Sequence, residues 1–339
     1  MFFFDHSVKL HHYSSNHVAA VIFYCFLSIS TIAESHRVRH ISRMQLTDFQ
    51  HSIQSTALDA AYQAGDIMLR GSGLVNLRSD ITSKIGSRDV VTEYDTACQK
   101  SIKSIILSKF PDHSFLGEED VPPGIEASTA ACKAMMQKEH LWIVDPIDGT
   151  TNFAHGMPLS GVIIGYASKG ELQFGCIYDP YHKELYTTWR GKGAYLNNQP
   201  IRCCETETLQ SSVICTGSPP NIDALDACLR VTNRISSKVR TMRMIGSAAI
   251  MLAWVACGRV SAYVETDLNV WDLAVGCLLV QEAGGMVSDV WGDTYSLETR
   301  NLVSSNGLIH SQLLEELQQA KMWMPVDNEK SMKRLGILI

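Results

Sequence analysis

The chain has 339 residues, 45% hydrophobic and 19% charged, with 23 Gly and 10 Pro. This is ordinary globular composition with enough apolar material for a core, which excludes collagen, coiled coil and wholesale disorder. Lys and Arg number 29 against 35 Asp and Glu, a net charge of −6, so there is no global basic field for nucleic acid and no such partner is expected.

Six of the 12 histidines (His6, His11, His12, His17, His36, His40) flank an apolar run over 18–33. The run has the length of a signal peptide and is short for a membrane span. Residues 1–43 are expected to be an N-terminal extension. Its readings are a signal or targeting segment, a membrane anchor, or a leader with no role in the fold. The expected location is cytoplasmic unless that segment directs secretion or organelle import. Ten cysteines, with no CxxC pair and no Cys/His ligand spacing, read as small buried hydrophobes rather than as a disulfide framework or zinc module. The adjacent Cys203 and Cys204 carry no functional signal of their own.

A catalytic domain is expected over 44–325, with a tail over 326–339. Ile53, Leu58, Ala61 and Ile67 recur at helical spacing and predict a helix over 49–69, closed by Gly71 and Gly73. A second helix follows Asp95 through Ile102, Ile105, Ile106 and Phe110, and Pro111 ends it. Residues 114–116 read as a short strand, 121–139 as a loop with a helical portion, and 141–144 as a buried strand. Alternation over 160–166, 172–178 and 184–189 predicts antiparallel strands turning at Lys169-Gly170 and Asp179-Pro180. The rest alternates helices (222–236, 247–257, 272–283, 308–322) with strands (262–265, 286–288).

The most informative stretch is Trp142-Ile-Val-Asp-Pro-Ile-Asp-Gly-Thr-Thr-Asn152. A hydrophobic strand there delivers Asp145 and Asp148 at its carboxyl end, and Pro146 keeps Asp145 out of helical geometry. Two anions sharing one hollow repel unless a cation or proton lies between them. Gly149 leaves room for a ligand, and Thr150-Thr151 begins a helix whose free amides suit phosphate. Phe115-Leu-Gly-Glu-Glu119 repeats the design, with Glu118 or Glu119 able to reach a shared metal. Trp271-Asp272 adds an acid in the first turn of an apolar helix, where capping is its plainer role. The strand end at Asp145-Pro146 taken alone also reads as a solvated acidic corner; counted together, the acids argue for a metal site. Oxygen-only ligands favour a hard octahedral ion, Mg²⁺ before Zn²⁺. Such ions beside phosphate-binding amides suit attack of water on phosphorus, and the reaction class is phosphate monoester hydrolysis.

These residues resemble the inositol monophosphatase family: Gly117-Glu-Glu119, then Asp145-Pro-Ile-Asp-Gly-Thr-Thr-Asn-Phe153, then Trp271-Asp272 before a helix ending in Glu282-Ala-Gly-Gly285. The resemblance spans 44–322. It implies an α+β fold, a layered α-β-α-β-α sandwich, with a homodimeric assembly, two or three Mg²⁺ per active site and sensitivity to lithium. Carried over position by position, Glu118, Asp145, Asp148 and Asp272 are metal ligands, with the Ile147 carbonyl completing one site. Glu119 stands behind them. Thr150 pairs with Asp95 to orient and deprotonate the attacking water, and the amides of Gly149 and Thr150 receive phosphate oxygens. Lys84 falls where the family places a basic residue near the metals, and Ala248 and Glu265 fall at its polyol-binding positions. The expected substrate is a small polyol phosphate, myo-inositol 1-phosphate first, with histidinol phosphate and L-galactose 1-phosphate as alternatives. The rival from another class is a noncatalytic protein that binds or senses a sugar phosphate.

Overall fold

The computed structural model describes residues 46–75, 81–84 and 90–323. The 18–33 run, Cys25, His36, His40, the expected start at Met44 and the 326–339 tail lie outside the described residues. Contacts divide the chain after Thr47, and every element below belongs to the unit that begins at Asp48. No helix among the described residues is long and apolar enough to cross a membrane.

The first helix, α1 (Asp48–Gly71), buries Ile53, Ala57, Ala60, Ala61, Ala64 and Met68; of the four residues whose spacing predicts it, Ile53 and Ala61 lie on this face, while Leu58 and Ile67 are half-buried. The short strands β1 (Ile81–Ser83) and β2 (Val90–Thr92) pair antiparallel and lead into α2 (Glu93–Lys109). Thr92 caps that helix, its hydroxyl accepting from the Tyr94 amide at 3.2 Å while Asp95 Oδ2 accepts from the Thr92 amide at 2.8 Å. Then come β3 (Ser114–Gly117), α3 (Ile125–Met135), β4 (His140–Asp148) and the one-turn helix α4 (Thr150–Ala154). The strands β5 (Gly161–Ser168), β6 (Glu171–Asp179), β7 (Glu184–Trp189), β8 (Ala194–Leu196) and β9 (Gln199–Ile201) complete a seven-stranded sheet in chain order from β3 to β9. Only the β3–β4 pairing in it is parallel.

The second half runs β10 (Val213–Thr216), α5 (Ile222–Ile235), β11 (Thr241–Arg243), α6 (Ala248–Ala256), β12 (Ala262–Glu265), α7 (Val270–Glu282), β13 (Met286–Asp289), β14 (Leu302–Ser305) and α8 (His310–Gln319). Its five strands form a mixed sheet in the order β11-β10-β12-β14-β13. Contacts give the layering: α1 and α2 cover one face of the first sheet, and α6 and α7 lie between the two sheets. The outer helices α5 and α8 pack together, with α8 against β14 of the second sheet. The expected five-layer α-β-α-β-α sandwich is therefore the observed one. Helices α6 and α7 are apolar nearly all round, as a helix between two sheets must be. Their residues form the main core cluster together with Leu141, Ile143, Ile163 and Ile177 of the first sheet and Tyr263 and Leu302 of the second.

The nine described cysteines are free, and six of them are buried, in keeping with a hydrophobic rather than a disulfide role.

Candidate active site

The carboxyl end of β4 carries the first two acids. Along this strand Asp145 pairs with Ile163 and Asp148 with Gly161, so three steps on β4 match two on β5. That is a β-bulge at Pro146-Ile147, where proline has no N–H for a ladder bond. Asp145 Oδ1 accepts from the Ile147 amide at 3.0 Å across the bulge. Asp148 is fixed from the other half of the chain. The Ala248 and Ala249 amides at the start of α6 donate to its two oxygens at 3.1 and 3.0 Å, and the Ser247 hydroxyl donates to Oδ2.

Asp272, in the first turn of α7, is the third acid, its Oδ2 accepting from the Asn269 amide at 2.7 Å. It caps its helix and faces the other two at once. One carboxylate oxygen from each of Asp145, Asp148 and Asp272 lies within 4.8 Å of the others. Burial, and then the neighbouring carboxylate of Glu118, push Asp145 and Asp272 well above the ordinary aspartate range. Asp148 is pushed up by burial to about 6, its hydrogen bonds from Ser247, Ala249 and Ala248 pulling the other way. Lys84 offsets the burial of Asp145 and Arg300 that of Asp272 only in part, so the three carboxylates make a donor set short of positive charge, and their oxygen-only chemistry fits a hard divalent cation.

Glu118 and Glu119 are turned toward Lys84, whose Nζ donates to them at 2.9 and 2.8 Å. Neither is one of the three converging acids. Burial alone would lower the lysine pKa, but Glu118 and then Glu119 outweigh it and keep the ammonium charged. Burial and Glu118 push Glu119 up to about 7 in spite of that lysine.

Beside the acids lies a second constellation. Thr150 Oγ1 is 3.0 Å from Asp95 Oδ1 and 3.0 Å from the Ile147 carbonyl. Asp95 is 2% exposed, and its other oxygen accepts from the Thr92 amide and hydroxyl at 2.8 and 2.7 Å. Burial pushes it up to about 6 against those bonds. Gly149 precedes α4 at φ +87°, and an added Cβ would lie 3.0 Å from the Leu159 carbonyl and 3.1 Å from that of Gly246. Both conformation and space demand glycine there.

Glu265 ends β12, buried, with the Tyr263 hydroxyl donating to Oε2. Burial pushes it up to about 7. A cavity of about 880 Å³ is bounded by Lys84, Glu118, Val121, Ile125, Arg300 and Trp271, the chain neighbour of Asp272.

Sequence reasoning missed Ser247, which sets Asp148, and Gly217, against whose backbone Glu265 packs. The helix-cap pattern of Gly246-Ser-Ala-Ala249 could have found the first. Nothing local marks the second.

Residues 50–322 match the family model described as the inositol monophosphatase family. Inositol monophosphatase 3 of Solanum lycopersicum is 37% identical over 267 residues, 78% of this chain and 95% of the tomato protein. Nus factor SuhB of Pseudomonas aeruginosa is 36% identical, covering 77% of this chain and 94% of its own. Among solved structures, an IMPase of Thermotoga maritima superposes with a TM-score of 0.70 at 32% identity, over 79% of this chain and 97% of the bacterial one.

Proposed function

Because the chain belongs to the inositol monophosphatase family and is on that account a phosphatase, we propose that residues 44–325 hydrolyse a small polyol phosphate monoester, myo-inositol 1-phosphate foremost. The observation that carries this reading is the convergence of Asp145, Asp148 and Asp272, drawn from both halves of the chain. In this reading those acids hold Mg²⁺ together with Glu118 and the Ile147 carbonyl, while Lys84 and Glu119 set Glu118. Bound Mg²⁺ neutralises the carboxylates and the ester phosphate and makes a water molecule a stronger acid.

The chain's own groups do the rest. Thr150 Oγ1 takes a proton from the attacking water and passes its own to Asp95 Oδ1, a buried carboxylate held up near neutrality and so suited to accept it. The Gly149 and Thr150 amides donate to phosphate oxygens, with Gly149 held at φ +87° where the packing admits no side chain. Glu265 accepts hydrogen bonds from ring hydroxyls, and the small Ala248 leaves the ring its space.

Phosphate release by the purified chain with Mg²⁺ tests this against a panel of myo-inositol 1-phosphate, L-galactose 1-phosphate, histidinol phosphate and fructose 1,6-bisphosphate. The expected result is the highest kcat/KM on the inositol ester; preference for another member overturns the substrate. Asp148→Asn removes one anionic ligand at constant volume and is expected to lower kcat by about 100-fold or more.

A further inference from the structure

Glu265 and Asp272 are joined by a short turn over 266–269 that brings the chain from β12 into α7. Asp267 makes the turn at φ +63°, a left-handed conformation that aspartate tolerates better than most non-glycine residues. One side chain does most to hold the turn. Arg300 donates from Nη2 and Nε to Asp267 Oδ1 at 2.7 and 3.3 Å, and from Nη1 to Asn269 Oδ1 at 3.1 Å. Its carbonyl accepts from the Leu268 amide at 3.1 Å. Arg300 and Asp267 are largely withdrawn from water, with side chains 20% and 8% exposed, so this ion pair is screened less than a surface one. Asn269 in turn donates its amide to Asp272 Oδ2 at 2.7 Å.

The same guanidinium reaches a third segment. Nη1 also donates to Ser128 Oγ at 3.0 Å, in the first turn of α3. That turn, with Val121 and Ile125, walls the cavity, and Asn269 and Arg300 line it too. A planar guanidinium serves three acceptors at fixed angles, which an ammonium cannot reproduce.

We propose that Arg300 is a positioning residue of the phosphatase site: its fork holds the 266–269 turn so that Asp272 stays aimed at Asp145 and Asp148, and ties that turn to the α3 wall of the cavity. The proposal rests on the site assigned under the proposed function.

Mn²⁺ binding measured by calorimetry without substrate, steady-state kinetics on the preferred panel ester, and thermal melting test it in Arg300→Lys, Arg300→Gln, Asp267→Asn and Ser128→Ala. Both Arg300 variants are expected to melt cooperatively, to bind Mn²⁺ at least tenfold more weakly and to lose at least tenfold in kcat, with Lys within threefold of Gln. Asp267→Asn, which keeps the size and removes the ion pair, is expected to weaken Mn²⁺ at least threefold. Ser128→Ala is expected to leave Mn²⁺ affinity within twofold and to raise KM severalfold, because it frees only the α3 wall. A folded Arg300→Gln that binds Mn²⁺ and turns over like wild type overturns the proposal, as does full rescue by Lys. Should Arg300→Gln fail to fold, unchanged Mn²⁺ affinity in Asp267→Asn overturns it. A wild-type chain that binds Mn²⁺ and hydrolyses no ester overturns the function proposed above, while the ratio of Mn²⁺ affinities still decides on Arg300. A wild-type chain that binds no Mn²⁺ overturns both.

Discussion

At Gly217 a methyl group would lie 1.6 Å from Glu265 Oε2 and 1.7 Å from its carboxyl carbon. The carboxyl group rests on bare backbone there, with the Tyr263 hydroxyl on Oε2. Gly217→Ala therefore has to displace Glu265. It is expected to raise KM for the polyol ester by roughly tenfold, with a smaller change in kcat, and to lower stability by about 1–3 kcal/mol, as overpacking does. Steady-state kinetics and urea denaturation read the two effects separately. The contrast with Asp145 and Asp148 is instructive about what a sequence discloses. Those two acids announce themselves, because a strand, a proline and a glycine surround them within a few residues. Gly217 has no such neighbourhood, since its partner comes from β12, which neighbours β10 in the sheet but lies several elements further along the chain, and only the folded packing brings them together.

Helices meet under the same rule of close contact. Gly276 of α7 faces Leu252 of α6, and a Cβ there would lie 2.4 Å from Leu252 Cδ1 and 2.6 Å from its Cβ. Gly276→Ala is expected to separate the two helices and destabilise the fold by about 1–3 kcal/mol despite alanine's better helix propensity, which contributes about 1 kcal/mol the other way. A drop in thermal midpoint with the reaction's KM little changed confirms it; an unchanged or higher midpoint refutes it. The long elements were legible because each carries enough periodic positions, as in α1, α5 and the β5–β7 meander. The strands β1, β2, β8, β9, β10, β11 and β14 were not. Leu302-Val-Ser-Ser305 has two serines and reads as loop, yet it lies between β12 and β13 and is paired on both edges, so its strand character comes from neighbours rather than from propensity. The β4 bulge was equally hidden. Proline signalled a break, but the extra residue appears only when β4 is laid against β5.

For the molecule as a whole, one buried histidine ties stability to pH. His310, 2% exposed, begins α8 with Nε2 2.9 Å from Ser288 Oγ and Nδ1 2.9 Å from Ser305 Oγ. Ser288 donates its own proton to the Asp289 carbonyl, so it accepts from Nε2, leaving Nδ1 to accept from Ser305. The neutral ring is fully satisfied, and a charged ring at this site would be cut off from water. Burial accordingly lowers its pKa from 6.5 to about 4. Between those values the unfolded chain binds the proton and the folded one does not, so this group's contribution is complete above about pH 6.5 and is lost progressively as pH falls toward 4. The loss is of order 2–3 kcal/mol. His310→Gln is expected to flatten that part of the stability profile, measured as urea midpoints at pH 7, 5.5 and 4.5 against wild type. A parallel fall in both proteins rules the group out.

The acids that gather at the centre are drawn from both halves of the chain: Asp145 and Asp148 leave the first sheet, and Asp272 opens a helix lodged between the two sheets. In a dinucleotide fold, one strand, one loop and one helix already make a complete anion cradle that other proteins can inherit by duplication. Here neither half holds a full set of charges. Exchange of either half for a stranger's would remove at least one of the three acids, so the two halves serve only as a matched pair.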